Sequence, residues 1–350
     1  MANSEIIDLA RRTFLRDVPV DSCAVRGFAR PDTRILRPKE GEAAFIGDAV
    51  CTIGAFDGVH RGHRYLFSAT IRDARRRGVP SVIVTFDPDP DELFLPQERI
   101  HKLLNNEDRL QFLAKFGADF VLCLPFDRQL AANSTESFLK RYIFPTFMPK
   151  AIHVGADFKL GAGNAGNVSE LRQLGSVRRR SWDVHGYDLL CNRAAPVSAT
   201  RIRRLLIDDG DCKTANDLLQ RCHFVRGTVV KGRQKGREFG FPTANVSLSY
   251  PYVVPAEGVY ATFVLVDDMV WPAATNVGVP RTFVGEPNCA SIEANLIGFD
   301  GDLYGREVAV GFVEKLRGQQ KFESIEALMA TVNSNIDWVR EHIGATGFRL

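Results

Sequence analysis

Two closely spaced histidines open the chemistry of this chain. Gly54-Ala-Phe56-Asp57-Gly58-Val-His60-Arg-Gly62-His63 follows a short apolar run, Ala49 to Gly54, and leads into a helical pattern. A helix start offers unpaired N–H groups and the positive end of the helix dipole, and both favour an anion. Glycine lets a backbone approach a phosphate closely. His60 and His63 are spaced so that both can face one oxyanion. Ser198-Ala-Thr200-Arg201-Ile-Arg203 opens another helical pattern, where a hydroxyl can bond a phosphate and an arginine can clamp it with two donors. Gly155-Ala-Asp157-Phe-Lys-Leu-Gly161, with Gly163 and Gly166, reads as a loop after a strand, where open α/β sheets bind ligands.

The second half carries a denser stretch. Gly227-Thr-Val-Val-Lys-Gly232-Arg-Gln-Lys-Gly236-Arg237-Glu-Phe-Gly240-Phe-Pro242-Thr243-Ala-Asn245 surrounds a loop between strands with glycines and basic residues. Gly232, Gly236, Arg237 and Gly240 suit a polyphosphate cradle, although the Walker A spacing is absent. Thr243 and Asn245 alternate on an extended segment and so point to one side. A hydroxyl and an amide oxygen suit Mg2+, which prefers oxygen ligands. Glu293 is a lone acid between Ile292 and Ala294, placed either for an exposed strand face or for proton transfer.

The elements that position these residues change character along the chain. Helical spacing over His63 to Arg77 buries Phe67, Ile71 and Ala74, with Gly78 as the stop. Ser81 to Phe86, Phe120 to Leu124 and Ala151 to Val154 read as buried strands, alternating with helices over Glu107 to Lys115 and Glu136 to Ile143. Such alternation predicts an open, Rossmann-like parallel sheet. A polar helix is expected over Ala199 to Asp217. Beyond Phe224, short runs at Val225–Val230, Thr243–Leu248, Gly258–Val266, Ala290–Ile297 and Val308–Val313 predict an antiparallel barrel or sandwich. One helix closes the chain. Ser324 caps it, and Ile325, Leu328, Val332, Ile336, Val339 and Ile343 form its apolar stripe. The expected organisation is an N-terminal extension (1–44), an α/β domain (45–211), a linker (212–223) and a β domain (224–350). In the extension, Ile6, Leu9, Ala10 and Phe14 can share a face of a short helix within a docked or partly disordered tail.

The first set of motifs resembles the HxGH nucleotidylyltransferases, and more closely the FMN adenylyltransferase half of the prokaryotic bifunctional riboflavin kinase/FAD synthetases. Val84-Thr-Phe-Asp-Pro88 and Leu124-Pro-Phe126 add to the likeness. The second set resembles the riboflavin kinase half, whose hallmark is Pro-Thr-Ala-Asn. Glu257 to Tyr260, Asn276 to Gly278, Thr282-Phe283, Asp302 to Gly305, Leu316-Arg317 and Lys321-Phe322 follow in order. The resemblance implies an α/β Rossmann-like domain followed by an antiparallel β-barrel with a closing helix. It implies two reactions: riboflavin and ATP give FMN and ADP, then FMN and ATP give FAD and pyrophosphate, with Mg2+. His60, His63 and Arg203 would neutralise charge in the second reaction. Gly54, Phe56, Asp57, Gly58, Gly62, Asp157, Ser198, Thr200 and Arg201 would hold nucleotide and phosphate. Glu293 would act as general base on the ribityl 5′-hydroxyl, Thr243 and Asn245 would hold the metal, and Arg317 with Phe322 would close over flavin.

Three positions in the first set of motifs depart from the family pattern, and Pro280-Arg281-Thr282 departs slightly in the second. Asp89 stands where a histidine is usual, Ala199 where a serine is usual, and Lys159 where arginine is common. Asp89 and Ala199 leave room for a kinase whose first domain is inactive or re-purposed; a non-catalytic flavin or nucleotide sensor is the other alternative.

Composition limits the partners. A net charge of +3 and 25% charged residues argue against a nucleic-acid coat or a polybasic membrane binder. The runs Arg75 to Arg77 and Arg178 to Arg180 read as solvated surface. Cys23, Cys51, Cys123, Cys191, Cys212, Cys222 and Cys289 are scattered and form no CxxC pair, so neither a disulfide framework nor a zinc knuckle is expected. No stretch is apolar enough to span a bilayer, and Glu5 and Asp8 precede any apolar run. The expectation is a cytoplasmic enzyme of small-molecule substrates, monomeric or weakly self-associating.

Overall fold

The computed structural model describes residues 4–14, 33–38, 45–95, 101–176, 181–192, 195–232, 240–278 and 291–350. The expectations for Cys23, Cys289, Gly236, Arg237, Arg178 to Arg180 and Thr282-Phe283 lie outside these residues. The chain divides into two compact units. A sheet unit holds Arg16–Ile100 and Asn106–Ser198, and a barrel unit holds Met1–Leu15, His101–Asn105 and Ala199–Leu350.

The sheet unit is built on β1 (Arg34–Leu36), β2 (Asp48–Ile53), β3 (Ser81–Asp87), β4 (Phe120–Pro125), β5 (Met148–Gly155) and β6 (Asp183–Tyr187). They form a six-stranded sheet in the order β1-β4-β3-β2-β5-β6, with every pairing parallel. From Ala49 to Ile53, β2 is buried throughout, as is β3 up to Phe86, which accounts for their unbroken apolar and β-branched sequences. The chain winds outward through β3 and β4, then returns to add β5 and β6 on the other side of β2. Strand order therefore reverses between β2 and β5, and open α/β sheets bind ligands beyond the carboxyl ends at such a point. The Gly54 turn follows β2, and Gly155 ends β5. A short hairpin of β7 (Cys191–Asn192) and β8 (Ala195–Pro196) completes the strands of this unit.

The first long helix runs from Arg61 to Arg77, two residues earlier than its apolar spacing suggests, because His60 serves as its N-cap. Phe67, Ile71 and Ala74 are buried, and Gly78 ends the helix at φ 67°. The helix expected over Glu136 to Ile143 splits into an α turn, Thr135–Phe138, and a wider π turn, Leu139–Ile143.

In the barrel unit the strands are β9 (His223–Val230), β10 (Ala244–Leu248), β11 (Gly258–Val266), β12 (Met269–Gly278), β13 (Ser291–Leu296), β14 (Glu307–Arg317) and β15 (Phe348–Arg349). The sheet order is β11-β14-β9-β10-β13-β12-β15, and β11 also pairs with β12, so six antiparallel strands close into a barrel. Closure leaves no open edge among those six strands. The sequence pattern passes over β12 because Pro272 interrupts it. The proline is tolerated since pairing with β13 begins one residue later, at Ala273.

Two helical expectations need correction. The single helix over Ala199 to Asp217 is broken: Ala199–Arg204 runs into a π turn, Leu205–Asp209, stops at Gly210 (φ 66°), and restarts as Cys212–Leu219 with Asp211 as N-cap. Gly210 packs so closely on the Tyr260 hydroxyl and the Lys315 side chain that a side chain there would collide with them. The closing helix spans Ile325–His342, capped by the Ser324 hydroxyl accepting from the Ala327 N–H. Only its C-terminal half is buried, at Ile336, Val339 and Ile343, whereas Ile325 is 56% exposed.

The N-terminal helix, Ser4–Thr13, belongs to the barrel unit. Phe14 packs edge-on against Phe224, with ring centroids 5.8 Å apart. The Thr13 hydroxyl accepts from the Cys222 N–H at 3.0 Å. Ala10, Thr13 and Phe14 are buried, so this part of the extension is docked rather than loose. His101–Asn105 enters the same unit: the Lys102 N–H donates to Pro251, the Val253 N–H donates to Lys102, and Asn105 donates to the Tyr252 hydroxyl. Among the described residues no helix is long and apolar enough to cross a membrane.

Candidate active sites

In the sheet unit the site is a turn of unusual backbone. Phe56 (φ 57°), Gly58 (φ 73°) and Val59 (φ 45°) all take left-handed conformations in succession around Asp57. For a β-branched residue such as Val59 this costs on the order of 1–3 kcal/mol and has to be held by its surroundings. Part of the hold is a pair of donors on the Ala55 carbonyl, Arg109 Nη1 at 2.9 Å and Thr85 Oγ1 at 3.2 Å. The Phe56 ring folds back over Gly54, where a Cβ would lie 2.7 Å from it.

The histidine spacing then has a steric reason. His60 Nδ1 accepts from the His63 N–H at 3.4 Å, and the two rings stack with centroids 3.6 Å apart. Gly62 lies beneath the His60 ring, and a Cβ there would already press on it at 3.2 Å. Burial, and then the neighbouring His60, push the His63 pKa well below the ordinary histidine value. At neutral pH the His63 ring is therefore uncharged, with its buried Nδ1 making no hydrogen bond. A neutral imidazole beside a helix start can donate to an oxyanion without bringing a full charge of its own.

The Gly155 loop closes on itself. Leu160 and Gly166 exchange backbone hydrogen bonds, 3.0 and 2.8 Å, and Gly161 takes φ 76°. Asp157 is exposed and turns back toward Gly155. Ser198 ends the sheet unit, whereas Thr200, Arg201 and Arg203 sit on Ala199–Arg204 in the barrel unit. Arg203 Nε donates to the His101 carbonyl at 2.8 Å. Thus Gly54, Phe56, Asp57, Gly58, His60, Gly62, His63, Asp157 and Ser198 share one unit, and Thr200, Arg201 and Arg203 belong to the other.

In the barrel unit the site is a row across strands. Register places Glu293 of β13 directly opposite Asn245 of β10 on one side and Asn276 of β12 on the other. Along β13, Ile292, Ala294 and Leu296 are buried, while Ser291, Glu293 and Asn295 form the half-buried alternate face. The Ser291 hydroxyl donates to Glu293 at 3.1 Å, and Asn295 donates to the Pro242 carbonyl at 2.8 Å. Gly232 lies flat on the Asn245 amide, within 2.4 Å of where a Cβ would be, so any side chain at 232 would displace that amide. Gly240 takes φ 81° just before the Pro-Thr-Ala-Asn run. The Arg317 guanidinium stacks 5.6 Å from the Phe322 ring centre, and burial lowers its pKa. A carboxylate flanked by two amides, with an oxygen-donor pair on the neighbouring strand, can accept a proton from a hydroxyl held against it.

Comparison with known proteins matches this architecture. The FAD synthetase family matches residues 43–201 and the riboflavin kinase family matches residues 219–343. A bifunctional riboflavin kinase/FMN adenylyltransferase from Escherichia coli is 35% identical over 310 residues, covering 88% of this chain and 95% of that protein. The same-named protein of Pseudomonas fluorescens is 35% identical over 287 residues, covering 82% and 90%. The chain belongs to the bifunctional riboflavin kinase/FMN adenylyltransferase family. A solved structure described as a macrolide-efflux protein from Streptococcus pneumoniae superposes with a TM-score of 0.78 at 29% identity, covering 87% of this chain and 98% of that one.

Against the family pattern, Asp89 takes on a specific environment. It is 2% exposed and caps Pro90–Phe94, accepting from the Asp91 N–H, while Glu92 accepts from its own N–H. Its other oxygen accepts from Arg109 Nη1 at 2.7 Å, and both side chains are buried. Arg109 also donates to the Phe86 carbonyl and to Asn106 Oδ1. One buried arginine thus ties the Gly54 turn, the end of β3 and Asp89 together. Its sequence signal is weak: Arg109 is one charge in the helix expected over Glu107 to Lys115. Gln319 has no sequence signal either. Its amide donates to Asn276 Oδ1 and to the Val277 carbonyl, both at 2.9 Å, and so steadies the row beside Glu293.

Proposed function

We propose that the chain makes flavin cofactors in two steps, phosphorylating riboflavin to FMN in the barrel unit and adenylylating FMN to FAD with the His60–His63 site. The observation that carries the reading is the Asn245–Glu293–Asn276 row, a lone acid set between two amides on the polar face of a closed barrel. Glu293 accepts the proton of the ribityl 5′-hydroxyl as that oxygen attacks the γ-phosphate of ATP and ADP leaves. The Ser291 hydroxyl keeps the carboxylate in place. Arg317 and Phe322 close over the flavin.

The residues present fit a magnesium ion. Thr243 and Asn245 offer oxygen donors, and the bare Gly232 backbone keeps the Asn245 amide clear. When bound, the ion draws charge from the ATP phosphates.

In the second reaction an FMN phosphate oxygen attacks the α-phosphate of ATP and pyrophosphate leaves. The nucleophile is already an anion, so positioning and charge neutralisation are the needs. His60, His63 and the N–H groups of the Gly54 turn and helix start meet the phosphates, together with Gly58 and Gly62. Asp157 and Ser198 add polar contacts for the nucleotide within this unit, and Thr200, Arg201 and Arg203 offer a hydroxyl and two guanidinium groups suited to a phosphate. Pairing with Arg109 removes Asp89 as a bare negative charge, which supports an active first site rather than a kinase alone. A cytoplasmic enzyme without nucleic-acid or membrane partners completes the reading.

The test is product chromatography with ATP and Mg2+. Riboflavin should give FMN, and supplied FMN should give FAD. FMN without FAD from either sample would leave a kinase alone, and neither product would leave a sensor.

A further inference from the structure

Among the described residues, one cluster of metal-ligating side chains lies outside the residues assigned above. Asp73 on Arg61–Arg77, His153 on β5 and His185 on β6 each bring a ligand atom within 4.8 Å of the other two. His153 and His185 are register partners on neighbouring parallel strands, so they leave the sheet on the same face. Asp73 lies ten residues beyond His63, about 15 Å along the helix from the phosphate turn.

His153 Nε2 lies 3.0 Å from Asp73 Oδ2, and Nδ1 lies 2.8 Å from the Tyr187 hydroxyl. Moving the ring proton from Nε2 to Nδ1 makes Tyr187 the acceptor and frees the Nε2 lone pair, with no change in net charge. His185 Nε2 is buried and has no hydrogen-bond partner, a cost that a ligand would relieve. Arg76 donates to Asp73 Oδ1 at 2.6 Å, and Arg77 Nε donates to both carboxylate oxygens at 3.1 Å while its Nη2 donates to Asp183 at 2.6 Å. These bonds fix the carboxylate's orientation, with Oδ2 shared between Arg77 and His153.

We propose that Asp73, His153 and His185 form a site for a zinc-class divalent transition-metal ion, with a fourth position left to water. Two imidazoles and one carboxylate match that class, whereas Mg2+ prefers oxygen donors throughout. The ion would pin the helix that His60 caps to the strand that ends at Gly155, and so stiffen two borders of the first site.

The test uses the full chain without an affinity tag, freed of metal by a chelator. Co2+ is titrated while visible absorption is followed, and Zn2+ is then added as competitor. Wild type should saturate at about one equivalent, and Zn2+ should displace Co2+ and raise the thermal midpoint. His185→Ala, on the edge strand β6, should weaken binding by more than about 100-fold, and Tyr187→Phe by about 10–100-fold, as for an outer partner. His63→Ala should bind as wild type does, which separates this site from the paired histidines. No binding by wild type, unchanged binding by His185→Ala, or loss in His63→Ala overturns the proposal. Should His185→Ala not fold, Zn2+ added to wild type should shift the His153 and His185 ring resonances, and unshifted rings would overturn it equally.

Discussion

At Gly54–His63 the shape of the site comes from individual backbone conformations, three left-handed residues around Asp57 and a stacked pair of rings over Gly62. At Asn245–Glu293–Asn276 it comes from register and the pleat, with ordinary extended strands. The first arrangement depends on what clamps the turn from outside, above all Arg109. The second depends on barrel closure, which no single side chain controls. Damage should therefore spread from a distance in the sheet unit and stay local in the barrel.

The largest expected effect falls on Glu293. Glu293→Ala should lower FMN formation by about 10²–10⁴-fold, the usual share of a general base, and leave FAD formation from supplied FMN intact. Chromatography of both products checks this, and parallel loss of both would mean the two sites are one.

His63→Ala is the mirror experiment. Loss of a positioned donor should cut FAD formation by about 10²–10³-fold while FMN formation continues. Equal losses would erase the contrast between the sites.

Arg109→Met tests action at a distance. It leaves the buried Asp89 charge unpaired, at a cost of about 3–5 kcal/mol, read as a lower midpoint in the sheet unit's denaturant transition. Asp89→Asn added to it should restore much of that loss. A rise in FAD formation on Asp89→His would show instead that the acid suppresses the first site.

The smallest effect is acid weakening of the barrel. Burial is the main cause that lowers the His223 pKa to about 4, and its Nε2 donates to the Val253 carbonyl at 2.6 Å. The folded pKa is below the ordinary value of about 6.5, so the stabilisation is complete above pH 6.5 and fades as pH falls toward 4. Urea melts across that window should lose about 3 kcal/mol at most, and His223→Gln should flatten the slope.

The difference also explains what could be read from sequence. The parallel sheet, the closing helix cap at Ser324 and the Gly54–His63 turn were legible because each is written in neighbouring residues. The alternation of Thr243 and Asn245 about the buried Ala244 was legible in the same way. Arg109, Gln319 and the partnership of Asn276 with Glu293 were not, since they depend on register between distant strands or on a side chain crossing from another element. The helix over Ala199 to Asp217 failed at Gly210, where the close approach of Tyr260 and Lys315 overrides a pattern that looks continuous. The apolar stripe of the last helix predicted more burial than Ile325 has, because periodicity shows which face is apolar but not how much of it is covered.

The contact between Thr13 and Cys222 spans 209 residues. On the ribosome, at about 5–20 residues per second, Ser4–Thr13 emerges about 10–40 s before its partner strand. In that interval the whole sheet unit is synthesised, and the chain also crosses His101–Asn105, another piece the barrel has yet to claim. The barrel is therefore the unit that must finish last, and its earliest segment waits with an apolar face uncovered. A gene fragment starting at Ala199 would encode every barrel strand yet lack both early pieces, so its product would expose Phe224 and the Pro251–Val253 edge from the moment it was made.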